Sequence, residues 1–279
     1  MTAQNKATAH FYTRFSVGQR YLHGVVMATF IGLALTGMIL RFSHSGWAEA
    51  FARALGGFSA VLFLHKFSAV LLTLAFLMHL GDVAYRGLAK GQRGIFWGPD
   101  SMVPRLKDFK DLYDHFRWFL WLGQRPRFDR FAYWEKFDYW AVFWGMAIIG
   151  ISGYAMWFST FFAKFIPGSW LNIALLIHGE EALLAVWFIF AIHFFNTHLR
   201  PGSFPMDLVI FTGRQTEEEL KKKHPIEYVR MLENGQLQSE QTVAPTHRVE
   251  VFGRVVGTVI ILTGFVLLWL TITAFVKGQ

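Results

Sequence analysis

The sequence predicts an all-α integral membrane protein, and three observations support this fold class. Hydrophobic residues make up 53% of the 279 residues and charged residues only 16%, whereas an ordinary soluble domain is about one quarter charged. Five separate stretches stay mostly apolar over the roughly 20 residues that a helix needs to cross a bilayer. Cysteine is absent, while histidine occurs 11 times. This composition excludes a disordered, collagen-like or coiled-coil chain.

Each apolar stretch is bounded by charged residues or by a turn. The predicted spans run over 21–40, 57–80, 137–158, 170–195 and 255–276. Because about twenty polar or mixed residues precede the first span, we expect no cleavable signal peptide. The expected organisation is a four-span core over 1–205, a polar connection over 206–250 and a segment over 251–279 that contains the fifth span.

Lysine and arginine are distributed unevenly between the two sets of loops. Most of the 27 lie in the N-terminal tail (Lys6 among them), between spans two and three, and between spans four and five; the other side has Arg41, Arg53, Lys164 and Lys277. Positive residues concentrate on the cytoplasmic side of a membrane. We therefore expect a bacterial inner-membrane protein with a cytoplasmic N-terminus and a periplasmic C-terminus. The net charge of +8 is then a topology signal, and no nucleic-acid partner is expected.

Two connections are predicted to contain helices of their own. Residues 95–131 mix aromatic, aliphatic and basic residues, and the stretch 111–122 predicts a helix lying in the headgroup region. Residues 199–250 are polar and contain EEELKKKHP, which predicts a short solvated helix ended by Pro225. Its charge run indicates a water-facing surface, with docking of a partner as the alternative.

The absence of cysteine limits the possible cofactors. Disulfides, iron–sulfur clusters, thiolate zinc sites and covalently attached c-type haem all need sulfur. Ionisable residues inside a membrane are costly and mark functional sites, and five histidines lie within the predicted spans: His23, His65, His79, His178 and His193. We expect His198 at the cytoplasmic edge, and the remaining histidines at the surface: His10, His44, His115, His224 and His247.

The histidines within the spans fall into two layers by depth. His65 and His178 lie in the outer layer, and His23, His79 and His193 in the inner one. The intervals of 14 residues on span two and 15 on span four correspond to roughly 21–22 Å along a helix and to offsets of about 40° and 60° around it. Neutral imidazole is a common ligand of iron and the usual one for b-type haem. The two layers therefore predict two stacked haem b groups, each held between facing helices.

Other interpretations of these residues stay open. A single buried histidine is commonly satisfied by a hydrogen bond across a helix interface. A proton-relay transporter normally has carboxylates in mid-span, and here Glu180 and Glu181 are expected near the outer end of span four. Glycines would let a flat macrocycle approach the backbone or serve ordinary helix packing; spans one and three contain Gly24, Gly32, Gly37, Gly145, Gly150 and Gly153.

The order of the histidines resembles the di-haem cytochrome b subunits of membrane oxidoreductases. Over about residues 10–205 the chain is similar to the gamma subunit of respiratory formate dehydrogenase and to the cytochrome b subunit of nickel–iron hydrogenase, through RYLHG, FLHKFSAVLL and HGEEALLAVWFIFAIHFFNTHLRP. The resemblance implies a four-helix di-haem bundle with a fifth C-terminal span added, which could cover the bundle or contact another subunit. It also implies that His65 and His178 bind the outer haem iron, and His23 and His193 the inner one.

The resemblance further implies a function. Such subunits carry electrons between a partner on the outer face, which holds iron–sulfur clusters or c-type haems, and a membrane quinone, menaquinone or ubiquinone. We expect no substrate-oxidising site on this chain. The alternatives are a haem-free scaffold or proton-coupled transporter, and a self-contained b-type transmembrane reductase.

The inner layer has one histidine without a secure counterpart in that family. His79 is an alternative inner ligand, a residue of a quinone site, or a histidine that only forms a hydrogen bond within the bundle. Asp82, Arg86 and His198 are the other candidates for the quinone site. Near the outer face, Arg41, Arg53 and Lys66 are candidates for pairing with haem propionates or, for the first two, for surface anchoring.

Overall fold

The computed structural model describes residues 9–200 and 202–276, so Lys6 and Lys277 lie outside the described residues. Five helices are long and apolar enough to cross a membrane: α1 (Val17–Arg41), α3 (Phe58–Ala89), α5 (Tyr133–Trp157), α6 (Gly168–Leu199) and α9 (His247–Val276). Shorter helices include α2 (Gly46–Ala54), α4 (Leu106–Phe119), α7 (Glu217–Lys223) and α8 (Pro225–Glu233). The prediction of a helical, multi-pass membrane protein is confirmed.

Each spanning helix continues beyond its predicted limit on the side assigned to the cytoplasm. α3 ends at Ala89 rather than Leu80, and α9 begins at His247 rather than Val255. The length of an apolar stretch in the sequence indicates only the part of a helix that lies in the hydrocarbon core, which is about 30 Å thick. A helix as long as α3 measures about 48 Å. Helical hydrogen bonding therefore continues into residues too polar for the hydrocarbon core.

The chain divides into two compact units, each built from segments that are distant in sequence. The first, here called the sheet unit, contains residues 9–21, His79–Trp140 and Leu208–Gly253. The second, the helical unit, contains Leu22–Met78, Ala141–Asp207 and residues 254–276. The three segments that the charge bias assigns to the cytoplasmic face are thus the ones that form the sheet unit.

A small antiparallel sheet, which was not predicted, organises the sheet unit. Its strand order is β2–β1–β3, with β1 at Phe11–Thr13, β2 at Arg214–Thr216 and β3 at Gln241–Thr242. Tyr12 of the central strand forms a buried core with Leu220 and Met231. The stretch 206–250 therefore folds together with the N-terminal segment, because two of its apolar residues, Leu220 and Met231, are buried against Tyr12.

The EEELKKKHP run forms α7 and ends before Pro225, as predicted. Thr216 caps the helix: its Oγ1 accepts a hydrogen bond from the backbone N–H of Glu219 (3.2 Å), and the Glu219 carboxylate accepts one from the N–H of Thr216 (2.8 Å). The helix is not solvated all round, because Leu220 is fully buried. One face of α7 thus packs into the sheet unit, and the charged residues of the helix lie on its other faces.

Ion pairs occupy much of the interior of the sheet unit. Glu227 of α8 is 1% exposed and accepts hydrogen bonds from Arg14 (2.7 Å) and Arg130 (2.7 Å). Each arginine also donates to the backbone carbonyl of the other. A second buried pair joins Lys136 Nζ to Asp108 at 2.8 Å. One carboxylate thus links the N-terminal segment, the chain before α5 and helix α8.

Two histidines expected at the surface are buried in the sheet unit. Nδ1 of His115 lies 3.0 Å from the hydroxyl of Tyr133, and its ring stacks on Phe119. Nδ1 of His224 donates to the carbonyl oxygen of Asp129 at 2.8 Å. The prediction was wrong for both because an imidazole with one polar contact packs well among aromatic and backbone groups, which local polarity does not reveal.

Acid is expected to destabilise the sheet unit through His224. Burial lowers the pKa of His224 well below its ordinary value of 6.5, and the charge of Arg14 lowers it further. Below about pH 6.5 the imidazole is protonated in the unfolded chain but stays neutral in the folded chain. The free energy of unfolding therefore decreases as the pH falls. Hydrogen exchange at the α8 amides, corrected for the intrinsic rate, should show this loss of protection, and His224→Gln should flatten the pH dependence. Exposed His247→Gln is the control; the same pH profile in both variants would contradict the prediction.

The core of the helical unit joins three of its spanning helices. Its buried side chains come from α1 and the residue directly after it, from α6 and from α9: Ala34, Met38, Phe42, Val186, Phe190, Phe194, Leu267 and Ala274. Thr271 of α9 is only 1% exposed, and Gly264 of α9 lets the ring of Phe190 come close to the backbone. The fifth span was expected either to cover the other helices or to contact another subunit. These contacts show that it covers other helices of the unit.

Candidate functional site

His65 of α3 and His178 of α6 lie side by side in the helical unit. Their ring centroids are 6.3 Å apart, and the rings are inclined at 76° to each other. Two imidazoles on opposite sides of one metal ion, each bound to it through a bond of about 2 Å, have centroids roughly 6 Å apart. The pair that sequence analysis assigns to the outer layer thus has a separation suited to binding one iron between the rings.

The second nitrogen of each ring is held by the surrounding helices. His65 Nδ1 lies 2.9 Å from Thr36 Oγ1 on α1, and His178 Nδ1 lies 2.9 Å from the carbonyl oxygen of Ile149 on α5. Metal-binding histidines almost always engage their other nitrogen in this way, which sets the orientation and tautomer of the ring. Nε2 is therefore the nitrogen that each ring can offer to a metal.

An irregular turn in α5 provides the carbonyl that holds His178. Residues Met146–Gly150 form a π turn, whose wider hydrogen-bond spacing interrupts the regular helical pattern. The carbonyl of Ile149, within this turn, accepts from His178 and also from Ser152 Oγ at 3.1 Å. The local backbone thus supplies an acceptor that sequence spacing does not reveal.

Similar irregularity changes the spacing along α6. Residues Phe188–His193 and Phe195–Leu199 are π turns, and each such turn inserts a residue into the α-helical repeat. The offset of about 60° expected between His178 and His193 holds only for a regular helix. The angle between His178 and His193 around α6 is therefore closer to the angle that the 14-residue interval gives between His65 and His79 on α3.

Two glycines bring helix backbone close to the outer imidazoles. A Cβ atom on Gly153 of α5 would come within 2.9 Å of His178 Cε1, and one on Gly37 of α1 within 3.3 Å of His65 Cε1. A side chain at Gly153 would therefore displace the ring of His178, whereas Gly37 allows a small adjustment. Gly24 has open space around it, so only some of the span glycines make such contacts.

Three histidines gather in the inner part of the helical unit. His193 and His198 lie near enough to His23 to interact with it electrostatically, and the ring of Phe194 lies 6.2 Å from His193 and 6.0 Å from His198. Nδ1 of His23 and Nδ1 of His198 are buried and find no hydrogen-bond partner among the described residues. Buried polar atoms of this kind are rare in proteins, and such an atom is available to bind a ligand or a partner. His198, a candidate for the quinone site, is thus placed with the inner histidines.

The other candidates for the quinone site cluster in the sheet unit. Nε2 of His79 lies 2.8 Å from the hydroxyl of Tyr139, and Asp82 pairs with Arg86 at 2.8 Å, one helical turn apart on α3. The charges of Asp82 and Arg86 both act on His79. Hydrogen bonding within the protein is the one interpretation of His79 for which a contact is present; the other two stay predictions.

One acidic residue lies deeper in the helical unit than expected. Glu181 accepts a hydrogen bond from the indole N–H of Trp144 at 3.2 Å, and Trp144 is near the middle of α5. Its neighbour Glu180 pairs with Arg41, the last residue of α1, at 2.6 Å. Consecutive helical residues point about 100° apart, so the two carboxylates meet different partners. The sequence did contain a signal for this depth, because Glu181 is an ionisable residue three positions after His178 and well inside the span.

The outer cations also have partners within the protein. Besides the pairing of Arg41, Arg53 pairs with Glu49 at 3.3 Å, and Lys66 Nζ lies 5.0 Å from the ring centroid of Trp157. These contacts are compatible with surface anchoring and with a role near a cofactor edge. Pairing with propionates stays a prediction.

The described residues contain no group of three or more His, Asp or Glu side chains close enough to hold a single metal ion. A haem differs from such a site because it takes only its axial ligands from the protein. Comparison with known proteins finds no matching family model and no matching curated protein. The function is therefore argued from the histidine sets themselves.

Proposed function

We propose that this protein is a di-haem b-type electron-transfer subunit of a membrane oxidoreductase. In this proposal α1, α3, α5 and α6 form the haem-binding bundle and α9 covers it. His65 and His178 hold the outer haem, and His23 and His193 the inner one. Bound haem supplies one-electron redox chemistry, while the protein supplies the ligands, their orientation and an apolar environment.

The observation that carries the proposal is the geometry of His65 and His178. Thr36 and Ile149 already engage Nδ1 of each ring, and packing alone does not require a second imidazole 6.3 Å away. Ionisable groups in a membrane usually face a functional site or each other. An iron between the two Nε2 atoms accounts for the separation, the hydrogen bonds and the absence of cysteine together.

The inner histidines and the group around His79 support exchange of electrons with a quinone, menaquinone or ubiquinone. Quinone reduction and oxidation require proton transfer at the ring oxygens, and His79, Asp82 and His198 are titratable groups on the cytoplasmic side of the proposed topology. Arg86 holds the carboxylate of Asp82 through their ion pair. The membrane would be a bacterial inner membrane, with the N-terminus in the cytoplasm and the C-terminus in the periplasm.

The proposal also requires a redox partner on the outer face. Because the chain has no cysteine, iron–sulfur clusters or c-type haems of the pathway must lie on partner subunits. The chain would then act as the membrane segment of a larger complex, without a substrate-oxidising site of its own.

Absorption spectroscopy of the purified protein, combined with haem quantitation, tests the proposal. We expect reduced b-type bands and two haems per chain. Absence of these bands, or a single haem in the wild-type protein, would contradict it. Within the inner set, His193→Ala is expected to lose the inner haem whereas His198→Ala retains it; the reverse result would reassign the ligand to His198.

Enlarging Gly153 is expected to disturb the outer site selectively. Gly153→Ala places a methyl group against His178 Cε1, so the ring must move and its bond to the iron weakens. We expect most of the outer haem to be lost while the inner haem stays bound. Gly24→Ala, which adds the same methyl group in open space on α1, is the matched control. Equal haem content in the two variants would contradict the role assigned to Gly153.

Glu181 supports a second candidate, a proton-coupled transporter without haem. Its carboxylate contacts Trp144 near the middle of α5, at a depth along the span where a proton-carrying group is required. In this case reconstituted protein without haem would couple transport to a pH gradient, and Glu181→Gln would abolish the coupling. Exposed Glu233→Gln is the control. Haem-free protein that transports nothing would exclude this candidate.

A further inference from the structure

The outward face of α4 is apolar, which reverses the pattern of a helix on a water-exposed surface. Leu106, Phe109, Tyr113 and Phe116 of α4, together with Leu120 directly after its last residue, are 60–89% exposed. These residues recur every three or four positions and so lie along one side of the helix. We call these five side chains the aromatic face.

The opposite side of α4 is polar and turned into the sheet unit. Asp108 binds the buried Lys136 at 2.8 Å, Asp111 binds Lys107, and His115 contacts the Tyr133 hydroxyl. These polar contacts already fix which side of the helix faces inward. The aromatic face therefore stays outward as a property of the fold, and an exposed apolar surface of this size marks an interaction site.

Basic side chains border the aromatic face. Lys110, Arg117 and Arg125 are all exposed. The guanidinium carbon of Arg117 lies 5.9 Å from the ring centroid of Tyr113, and that of Arg125 lies 5.8 Å from Trp118. Aromatic residues flanked by cations are typical of helices that lie in the interface of an anionic membrane.

We propose that the aromatic face binds the surface of a bilayer containing anionic phospholipids, with Lys110, Arg117 and Arg125 contacting their phosphate groups. The helix is tied to spanning helices at both ends, since α3 ends at Ala89 and α5 begins at Tyr133. A lipid leaflet is therefore within reach through chain connectivity alone, and anionic headgroups match the charge of the border. The lipid contact would anchor the sheet unit independently of any haem.

The absence of cysteine makes the lipid contact directly measurable. Spin labels on Phe116→Cys and Phe109→Cys would probe the aromatic face of the full-length protein in nanodiscs. Leu232→Cys is the control, because Leu232 is 57% exposed on α8 of the same unit. We expect oxygen, which concentrates in lipid, to relax the first two labels, and a water-soluble nickel complex to relax the third. Preferential relaxation of the aromatic-face labels by nickel would overturn the proposal. Shielding of these labels from both reagents only in native membranes would instead assign the face to a partner protein, and would also overturn it.

The choice of headgroup is tested with spin-labelled phosphatidylglycerol and phosphatidylcholine. Enrichment of phosphatidylglycerol near the label at position 116 is expected, and each cation lost should reduce it roughly fivefold. The double variant K110E/R117E should therefore abolish the preference, while K222E, at an exposed site on α7, should retain it. Equal enrichment of the two lipids, or a preference that survives in K110E/R117E, would show that the cations do not select anionic lipid.

Discussion

Replacing His178 by alanine is expected to remove the outer haem and to leave the inner haem bound. In the proposed function the substitution deletes one of the two ligands assigned to the outer haem, so this haem would lose its bond on one side. The reduced-minus-oxidised b-type absorbance per protein should fall by about half, because only one of two proposed haems is lost. His65→Ala is expected to give the same result, since the proposal assigns both imidazoles to one haem.

Three further measurements separate loss of a ligand from misfolding. Added imidazole can enter the cavity left by the alanine and should restore part of the lost absorbance. His44→Ala, at an exposed site between α1 and α2, should keep the full haem content. The low-spin signal of the inner haem should persist in both outer-site variants. Retention of both haems in His178→Ala and His65→Ala would refute this ligand pair.

The spanning helices could be predicted because their energetics are local. A stretch of about 20 apolar residues has one favourable environment in a membrane, and its backbone satisfies its own hydrogen bonds as a helix. The helix ends could not be predicted in the same way. α3 continues to Ala89 and α9 starts at His247, because helical hydrogen bonds do not stop where hydropathy falls.

The sheet unit could not be predicted because its stability depends on pairs that are far apart in sequence. Strand β1 pairs with β2 and β3 across about two hundred residues, and each strand is too short to leave a clear alternation. Glu227 pairs with Arg14 across 213 positions. A polar segment examined alone resembles a solvated connection, since its partners become visible only in the fold.

The candidate site was predictable in its residue types but not in its detail. The depth of His65 and His178 follows from counting along apolar helices, and the structure brings these two rings together. The π turns change the angular relations along α6, and the carbonyl of Ile149 becomes an acceptor through such a turn in α5. Glu181 was misplaced because depth was judged from the end of the span rather than from its partner Trp144.

Removing the charge of Glu227 is expected to destabilise the sheet unit severely. The Glu227 side chain is 2% exposed, as is that of Arg14, and Arg130 is 26% exposed. Glu227→Gln leaves two guanidinium groups side by side without the carboxylate that joins them, and breaking a buried pair in this way costs about 3–5 kcal/mol. Hydrogen exchange in β1 and α8 should then accelerate by at least about a hundredfold, because each 1.4 kcal/mol is a factor of ten.

The control for this prediction lies on the same helix. Glu233→Gln removes one carboxylate at an exposed position near the end of α8, where substitutions usually change stability by less than about 0.5 kcal/mol. Its exchange rates should match those of the wild type. Arg14→Met combined with Glu227→Gln should recover part of the protection, because one of the two cations that Glu227 had joined is then gone. If Glu227→Gln exchanged as slowly as Glu233→Gln, the buried ion pairs would not stabilise this unit, and its sheet and helices would have to be held by the small core around Tyr12.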